Sequence, residues 1–319
     1  MEPNMANPTL AVYIDQLPRM VSSNGLSIRE DVLFTDAKGR QSDRARKKEE
    51  ALLEKWRDVL PPLLESNETI FYIVKNCQAP VTPLEQFFLG IYAYGATATA
   101  LILTNLRIIH LGVTGRGKWR RILKSVRWGD VSEAKIKGWI GKILELKYAN
   151  GAKARYWKMA GRDAKKVEAI LASVLPATRA EATAAQGMVS LCPDCRIVLA
   201  QKIYQCQGCK LTFKDEKTLL KRTLLIPGGG YLYAGYTTLG VISLFFEGLF
   251  LIEAILYFLM AVGLMPPTPA ENGRFPNRAD LWVTAGIFLF IIALRKSLEY
   301  LHGRRIIRMF LPLNRLGQA

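Results

Sequence analysis

The stretch Lys142–Met159, KILELKYANGAKARYWKM, decides the architecture of the first half of this 319-residue chain. Lys142–Tyr148 alternates apolar and charged side chains, the period of a strand with one buried face. Asn150-Gly151 follows, a dipeptide that favours a tight hairpin turn. A second short run, Lys153–Met159, then returns. The segment predicts an antiparallel hairpin.

Working outward, the neighbouring runs have the same texture. WRRILKSVRW (119–128) and VSEAKIKG (131–138) are short and bounded by Gly or Asn. Thr69–Asn76 is rich in Ile, Phe, Tyr and Val and predicts a strand. Phe87–Leu103 is apolar almost throughout. Gly90, Gly95, Thr97 and Thr99 interrupt it, and its length is marginal against the roughly 20 residues a spanning helix needs. It predicts two strands with a turn near Gly95. Gly161–Leu175 predicts a helix with Val167, Ile170, Leu171 and Val174 on its apolar face and Pro176 as its stop. Upstream, residues 1 to 40 show no clear period and predict loose order. From Ser42 a helix is expected, capped by Ser42 or Asp43. Its stripe of Leu52, Leu53, Trp56, Val59, Leu60 and Leu63 is read as packing on a neighbouring domain, and Pro61-Pro62 breaks it.

ALILTNLRIIHLG (100–112), the basic strand, VRWGDVSEAKI (126–136), the Asn-Gly hairpin and the final helix together resemble the bacterial pleckstrin-homology-like (PH-like) domains. The recurring feature is an apolar strand ending in Thr-Asn-x-Arg, here Thr104, Asn105 and Arg107. The resemblance covers about residues 65–175 and implies an α+β barrel closed by one C-terminal helix. Lipid binding is the activity associated with the family's eukaryotic relatives.

Residues 177–190 are small and polar and read as a linker. Cys192-Pro-Asp-Cys195 and Cys206-Gln-Gly-Cys209 follow. Two Cys-x-x-Cys pairs at this separation can close four thiolates on one Zn2+. RIVLAQKIYQ between them supplies a hairpin, and Gly208 gives its knuckle backbone freedom. Four thiolates leave no open position, so the metal is structural rather than catalytic. A rubredoxin-type iron centre and redox-active pairs are the alternatives. Cys77 stands apart and reads as a small buried residue.

The last third is apolar. Leu239–Met265 carries only Glu247 and Glu253 as charges, and Leu281–Leu294 carries none. With the polar turn PPTPAENGRFPNRAD between them, they predict a transmembrane hairpin spanning about 239–265 and 279–300, with Arg295 and Lys296 snorkelling. Glu247 and Glu253 lie about 240° apart around a helix. They read as structural carboxylates rather than as one site; a proton or ion relay is the alternative. IPGGGYLYAGYTTLG (226–240) resembles the Gly-Tyr-Gly lead-in of the small two-helix modules called TM2-like. A Gly-rich interfacial turn is the plain alternative. GRRIIRMFLPLNRLG (303–317) predicts a basic interfacial tail.

Lys and Arg number 44 against 27 Asp and Glu, a net charge of +17. Such an excess points to anionic lipid or nucleic acid. Residues 105–170 hold 17 basic and 5 acidic side chains, a net of +12. Arg116, Lys118, Arg120, Arg121, Lys124 and Arg127 crowd one hairpin and are the candidate surface for an anionic headgroup or a partner. Trp119, Trp128, Trp139 and Trp157 among basic strands offer stacking for nucleic acid as the competing reading. Gly112–Lys118 has the spacing of a phosphate loop, but Trp119 stands where the Mg2+-binding hydroxyl belongs. Only His110 and His302 are histidines, and no nucleophile–base pair assembles, so an enzyme is not expected. The N-terminal residues show no secretory leader. Basic residues flank the hairpin on its outer sides, Lys217, Lys221 and Arg222 before it and Arg295, Lys296, Arg304, Arg305, Arg308 and Arg315 after it. Both termini are therefore expected on the cytoplasmic side of the inner membrane.

The expected protein has three parts: an N-terminal helical region (1–64) joined to a PH-like domain (65–176), a zinc ribbon (191–214), and a membrane hairpin (223–302) with a basic tail (303–319). Its expected role is a membrane-anchored adaptor or sensor that binds a protein partner or anionic lipid. A membrane-tethered nucleic-acid binder and a transporter or channel accessory subunit, with assembly into an oligomer, are the other readings.

Overall fold

The computed structural model describes residues 20–21, 25–36, 39–78, 97–139, 141–178, 183–267 and 276–313. It is an α+β protein. Its contacts divide it into two compact units, Met1–Leu211 and Thr212–Ala319.

The first unit opens with β1 (Met20–Val21), β2 (Ser27–Ile28), α1 (Glu30–Leu33) and α2 (Asp43–Lys55). Residues expected to be loosely ordered are thus partly structured. Ile28 pairs in parallel with Ile70, and Leu26, Ile28, Val32, Leu33 and Phe34 are buried. Ser42 caps α2 by accepting from Ala45 N. Leu52, Leu53, Trp56, Leu60 and Leu63 join the main core of the sheet directly.

Seven strands follow: β3 (Ile70–Gln78), β4 (Ala98–Thr104), β5 (Arg107–Val113), β6 (Trp119–Arg127), β7 (Val131–Lys137), β8 (Lys142–Tyr148) and β9 (Lys153–Met159). Then come α3 (Gly161–Thr178) and β10 (Val189–Leu191). The sheet runs β10-β6-β5-β4-β3-β9-β8-β7, antiparallel along this path. Its two halves meet at Gln78↔Trp157. The expected closed barrel does not form: among the described residues no ladder joins β7 to β10, and the sheet stays open. The first of the two strands expected within 87–103, and its turn near Gly95, lie outside the described residues; the second is β4. The linker expected at 177–190 ends as β10, whose residues pair with Leu123–Ser125 of β6.

Local chemistry fixes the turns. In the β8–β9 hairpin Tyr148 N donates to Ala152 O at 2.9 Å and Gly151 sits at φ 82°. The connection therefore spans three residues with glycine in the left-handed position. At the β4–β5 turn Thr104 Oγ1 donates to Glu68 Oε1 at 2.7 Å and accepts from Arg107 N at 3.0 Å. Asn105 Oδ1 accepts from Thr69 N at 2.7 Å, and Arg107 donates to both oxygens of Glu68. Glu68 is fully buried, so its charge is balanced by a guanidinium and a hydroxyl rather than by water. The Thr-Asn-x-Arg step thus ties this turn to the start of β3. Gly117 N donates to Thr114 O at 2.7 Å, and β6 begins at Trp119. No helix follows the Gly112–Lys118 run, which is a hairpin turn and not a phosphate loop.

The core of this unit draws on every layer: Leu52 and Trp56 of α2, Ile73 and Leu101 of the central strands, Leu146 and Tyr156 of the second half, and Val167 and Ile170 of α3. Each fully buried aliphatic side chain contributes on the order of 2 kcal/mol. Polar groups enter the core only with partners. His110 is bonded to Thr99 Oγ1 and Tyr156 Oη, both at 3.2 Å, and burial pushes its pKa down to about 3. Lys166 Nζ donates to Thr35 O at 2.5 Å and holds the end of α1. Tyr72 donates to Asp163 at 2.9 Å. Cys77 is buried and unoxidised, as expected, with its thiol on Thr99 O.

The second unit is helical: α4 (Glu216–Leu225), α5 (Gly229–Ala234), α6 (Thr237–Ala261) and α7 (Arg278–Ile307). Asp215 caps α4 through Thr218 N. Helices α6 and α7 run antiparallel, with Phe258 against Trp282 at one end and Phe250 and Tyr257 against Phe288 further along. Both are long and apolar enough to cross a membrane. Their side chains are not a soluble core: Phe245 is 68 % exposed, Val283 62 % and Phe290 69 %. Of the expected basic tail, the described residues 303–313 pack within this unit. Helix α7 continues to Ile307, Phe310 packs edge-on against Phe213, and Leu313 N donates to Thr212 O at 2.9 Å. Arg304 and Arg308 both hold Glu216.

One buried group gives the first unit a pH signature. Glu49 on α2 is 1 % exposed, near Lys48, Asp163 and Lys166, and burial pushes its pKa up to about 7. The folded state therefore holds a proton that the unfolded state releases from about pH 4.5 upward. Stability falls as pH rises from there to about 7, by on the order of 3 kcal/mol. Glu49→Gln is expected to flatten this slope, read from hydrogen exchange of α2 and β3 amides between pH 5 and pH 8 (about the range of the transition).

Candidate metal centre and charged sites

The four cysteines meet as the spacing predicts. The Sγ atoms of Cys192, Cys195, Cys206 and Cys209 all lie within 4.8 Å of one another, and none is oxidised. The closest pairs are Cys192–Cys209 at 3.5 Å and Cys195–Cys206 at 3.3 Å. A tetrahedron of thiolates about 2.3 Å from a metal has edges of about 3.8 Å, so the cluster fits an ion. The two knuckles are built alike. Cys192 N donates to Ile197 O at 2.9 Å and Arg196 N to Cys192 O at 2.9 Å; Cys206 N donates to Leu211 O at 2.8 Å and Lys210 N to Cys206 O at 3.0 Å. Arg196 and Lys210, each following a knuckle's second cysteine, take the left-handed backbone at φ 63° and 61°.

Gly208 serves differently from the expectation. It does not adopt positive φ; a Cβ there would lie 2.4 Å from Cδ1 of the exposed Ile197 and 3.3 Å from Cys195 Sγ, so a side chain would have to displace Ile197 and press on the cluster. Leu191, just before the first knuckle, bridges Val198, just after it, in place of a full hairpin between the two knuckles.

The six cations expected to share one patch are dispersed. Strand β6 extends roughly 26 Å at about 3.3 Å per residue. At its far end Arg127 pairs with Glu65 at 2.8 Å, and Arg121 pairs with Asp194. Arg120 and Lys124, also on β6, have interactions of their own. Arg116 and Lys118 are exposed on the preceding turn.

That turn lies against α2. Trp56 Nε1 donates to Gly117 O at 3.1 Å, and Lys55 Nζ donates to Arg116 O. Beside it opens a cleft of about 700 Å³ lined by Lys48, Lys55, Lys75, Lys158, Arg162 and Asp163, among others. Five cations thus face one carboxylate, and that carboxylate is buried and bonded to Tyr72. Sequence reading missed this cleft because its walls come from α2, β3 and the β9–α3 junction.

The tryptophans separate as well. Trp128 is buried with its indole on Thr104 O, and Trp119 donates to Ile122 O. Trp157 is largely enclosed, and only Trp139, at 94 %, is open to solvent. Among the described residues these four tryptophans form no outward-facing stacking row.

In the second unit Glu247 and Glu253 part company. Glu253 is half-exposed. Glu247 is buried and accepts from Gly228 N at 3.1 Å and from Lys296 Nζ at 2.8 Å. Sequence reading did not single out its companion, Glu299. Glu299 is fully buried and accepts from Gly230 N at 2.6 Å and Tyr231 N at 3.0 Å. Lys296 Nζ also donates to Ile226 O at 2.8 Å, and Arg295 donates to Ser243 Oγ at 3.0 Å. These two cations turn into the helical unit rather than snorkelling outward. The glycines permit this closeness. A Cβ on Gly228 would lie 2.1 Å from Gly240 O, and one on Gly230 would lie 2.2 Å from Thr223 Oγ1 and 3.0 Å from Glu299 Cγ. The Gly-rich lead-in is therefore a short helix clamped onto α6 and α7.

Neither a protein-family model nor a curated protein matches the chain.

Three outcomes follow from these geometries. Cys206→Ser is expected to reduce bound metal from about one equivalent per chain to less than about a tenth, measured by elemental analysis of purified protein. Gly230→Ala is expected to destabilise the helical unit by roughly 1–3 kcal/mol through overpacking, read as a lower thermal midpoint in detergent. Glu299→Gln, which keeps an acceptor for both amides, is expected to cost less than Glu299→Ala.

Proposed function

We propose that this protein is a membrane-anchored, non-catalytic adaptor or sensor whose sheet domain binds an anionic phospholipid headgroup or an acidic partner. Three features support the reading. Helices α6 and α7 bear outward apolar side chains with no protein partner, as a bilayer requires. The two carboxylates these helices bury each have one oxygen held by backbone amides, and Lys296 lies against both, which lowers the cost of placing them in hydrocarbon. The four-cysteine cluster suits Zn2+, with both knuckles closed and no open ligand position. The zinc is structural in this reading, and both termini face the cytoplasm by the balance of basic flanks.

The sheet domain is read as a PH-like fold. Its support is the succession of four strands, three strands and one helix, with Thr104, Asn105 and Arg107 at the β4–β5 turn.

The observation that carries the ligand is the cleft with Lys48, Lys55, Lys75, Lys158 and Arg162 around it and Arg116 and Lys118 on the adjoining turn. A surface of that sign, held beside an anionic leaflet, gains about 1 kcal/mol per cation. Nucleic acid is the weaker reading, because the aromatic row it needs is not presented. A transport role is also weaker, because Glu247 is bonded to Lys296 and to backbone.

The test uses the full chain in neutral proteoliposomes mixed with protein-free vesicles containing phosphatidylglycerol. Lys55→Gln, Lys75→Gln and Arg162→Gln together are expected to weaken vesicle capture at least about tenfold, given about 1 kcal/mol for each charge. Unchanged capture by this variant rejects the cleft as the binding site.

A further inference from the structure

The β7–β8 hairpin carries a feature that neither the cleft nor the metal centre uses. Its tip places Trp139 94 % in solvent, the most exposed of the large apolar side chains among the described residues. A tryptophan buries more apolar area than any other side chain when it finds a partner, so leaving one bare is a poor use of it in water. Here the backbone holds it out. Gly138 and Gly141 flank the tip at φ 92° and 78°. A Cβ on Gly138 would meet Gly141 O at 2.6 Å, so the tight tip exists only with glycine there.

The surroundings select the partner. Lys135–Lys142, KIKGWIGK, has three lysines and no acid. Lys142 Nζ donates to Gly138 O at 2.9 Å, which seats one ammonium at the base of the tip. Lys137 and Lys135 stand on β7, paired with Glu145 and Glu133 lower on the hairpin. An amphipathic indole beside one ammonium at the tip, with two further, ion-paired lysines on β7, suits a bilayer surface, where the interface that takes the ring lies next to anionic phosphates. A protein groove of apolar character would gain nothing from the lysines, and a nucleic acid would be met by one ring rather than a platform.

We infer that Trp139 is a membrane-insertion wedge: the β7–β8 tip enters the headgroup layer of an anionic bilayer and docks the sheet domain on it. The inference rests on the reading that α6 and α7 lie in a membrane, and Trp282 on α7 reports that reading separately.

The experiment uses the full chain reconstituted in nanodiscs of phosphatidylcholine and phosphatidylglycerol, with or without bromine on the acyl chains as a contact quencher. Parent, Trp139→Phe and Trp282→Phe are compared, so that the emission of each ring is obtained by difference. Trp139 is exposed, so its replacement leaves the fold intact. The Trp139 emission is expected to fall at least about twofold with brominated lipid, and to recover in pure phosphatidylcholine or high salt, where the lysines lose their counterpart. A Trp139 emission indifferent to bromination, while Trp282 is quenched, overturns the wedge and spares the anchor. Indifference of both rings overturns the membrane reading and the wedge with it. Quenching of Trp139 by single-stranded DNA but not by brominated lipid also overturns the wedge, in favour of a nucleic-acid contact.

Discussion

The helical unit is organised by the need to hide two carboxylates beside long apolar helices. Glu247 and Glu299 sit on different helices and face one short glycine-rich turn. A buried carboxylate is tolerable only when donors surround it. Lys296 and the amides of Gly228, Gly230 and Tyr231 supply them. That arrangement needs backbone close enough to touch both acids, which a side chain at Gly228 or Gly230 would prevent. The rest of the unit follows: α4 leads into the turn, α5 is held between α6 and α7, and the remaining helix surfaces are free to be apolar.

The sheet unit solves a different problem, how to carry a large positive charge and still fold. Part of the surplus is absorbed by ion pairs, as between Arg107 and Glu68 or Arg127 and Glu65. Part is used as backbone caps, as Lys166 does at α1. The remainder gathers where cations outnumber acids, around the cleft between α2, β3 and α3, where Lys48 and Arg162 share Asp163. Repulsion there costs stability that the large shared core can supply. A local excess of cations over acids in a well-packed domain is a reason to look for an anion.

Much of this was legible in the chain itself. The Asn150-Gly151 hairpin, the Cys192–Cys209 cluster and the long apolar helices all rest on short-range periodicity or spacing, and all took the expected form in outline. The closed barrel did not, because closure depends on which edges meet, and no local pattern specifies that. Strand β10 has three residues, too few to show a period, and is created by its pairing with Leu123–Ser125. Glu299 looked like an ordinary charge after the apolar run, because its partners lie about seventy residues upstream. The cleft was invisible for the same reason: Lys48, Lys75 and Lys158 are far apart in sequence. Trp128 and Trp139 differ by one buried and one bare ring in nearly identical basic settings, a distinction only the packing could make.

The metal knuckles are not an ornament at the sheet's border. The first begins at Cys192, directly after β10, and Leu191 is bridged to Val198 within the ribbon while it pairs with Leu123 in the sheet. A chain stripped of its ion loses the restraint that keeps this three-residue strand in register. Strand β6 would then be an unguarded rim, with hydrogen-bonding groups open to any extended segment nearby. With an ion on the four thiolates, metal supply and resistance to strand-mediated self-association would be coupled through this strand.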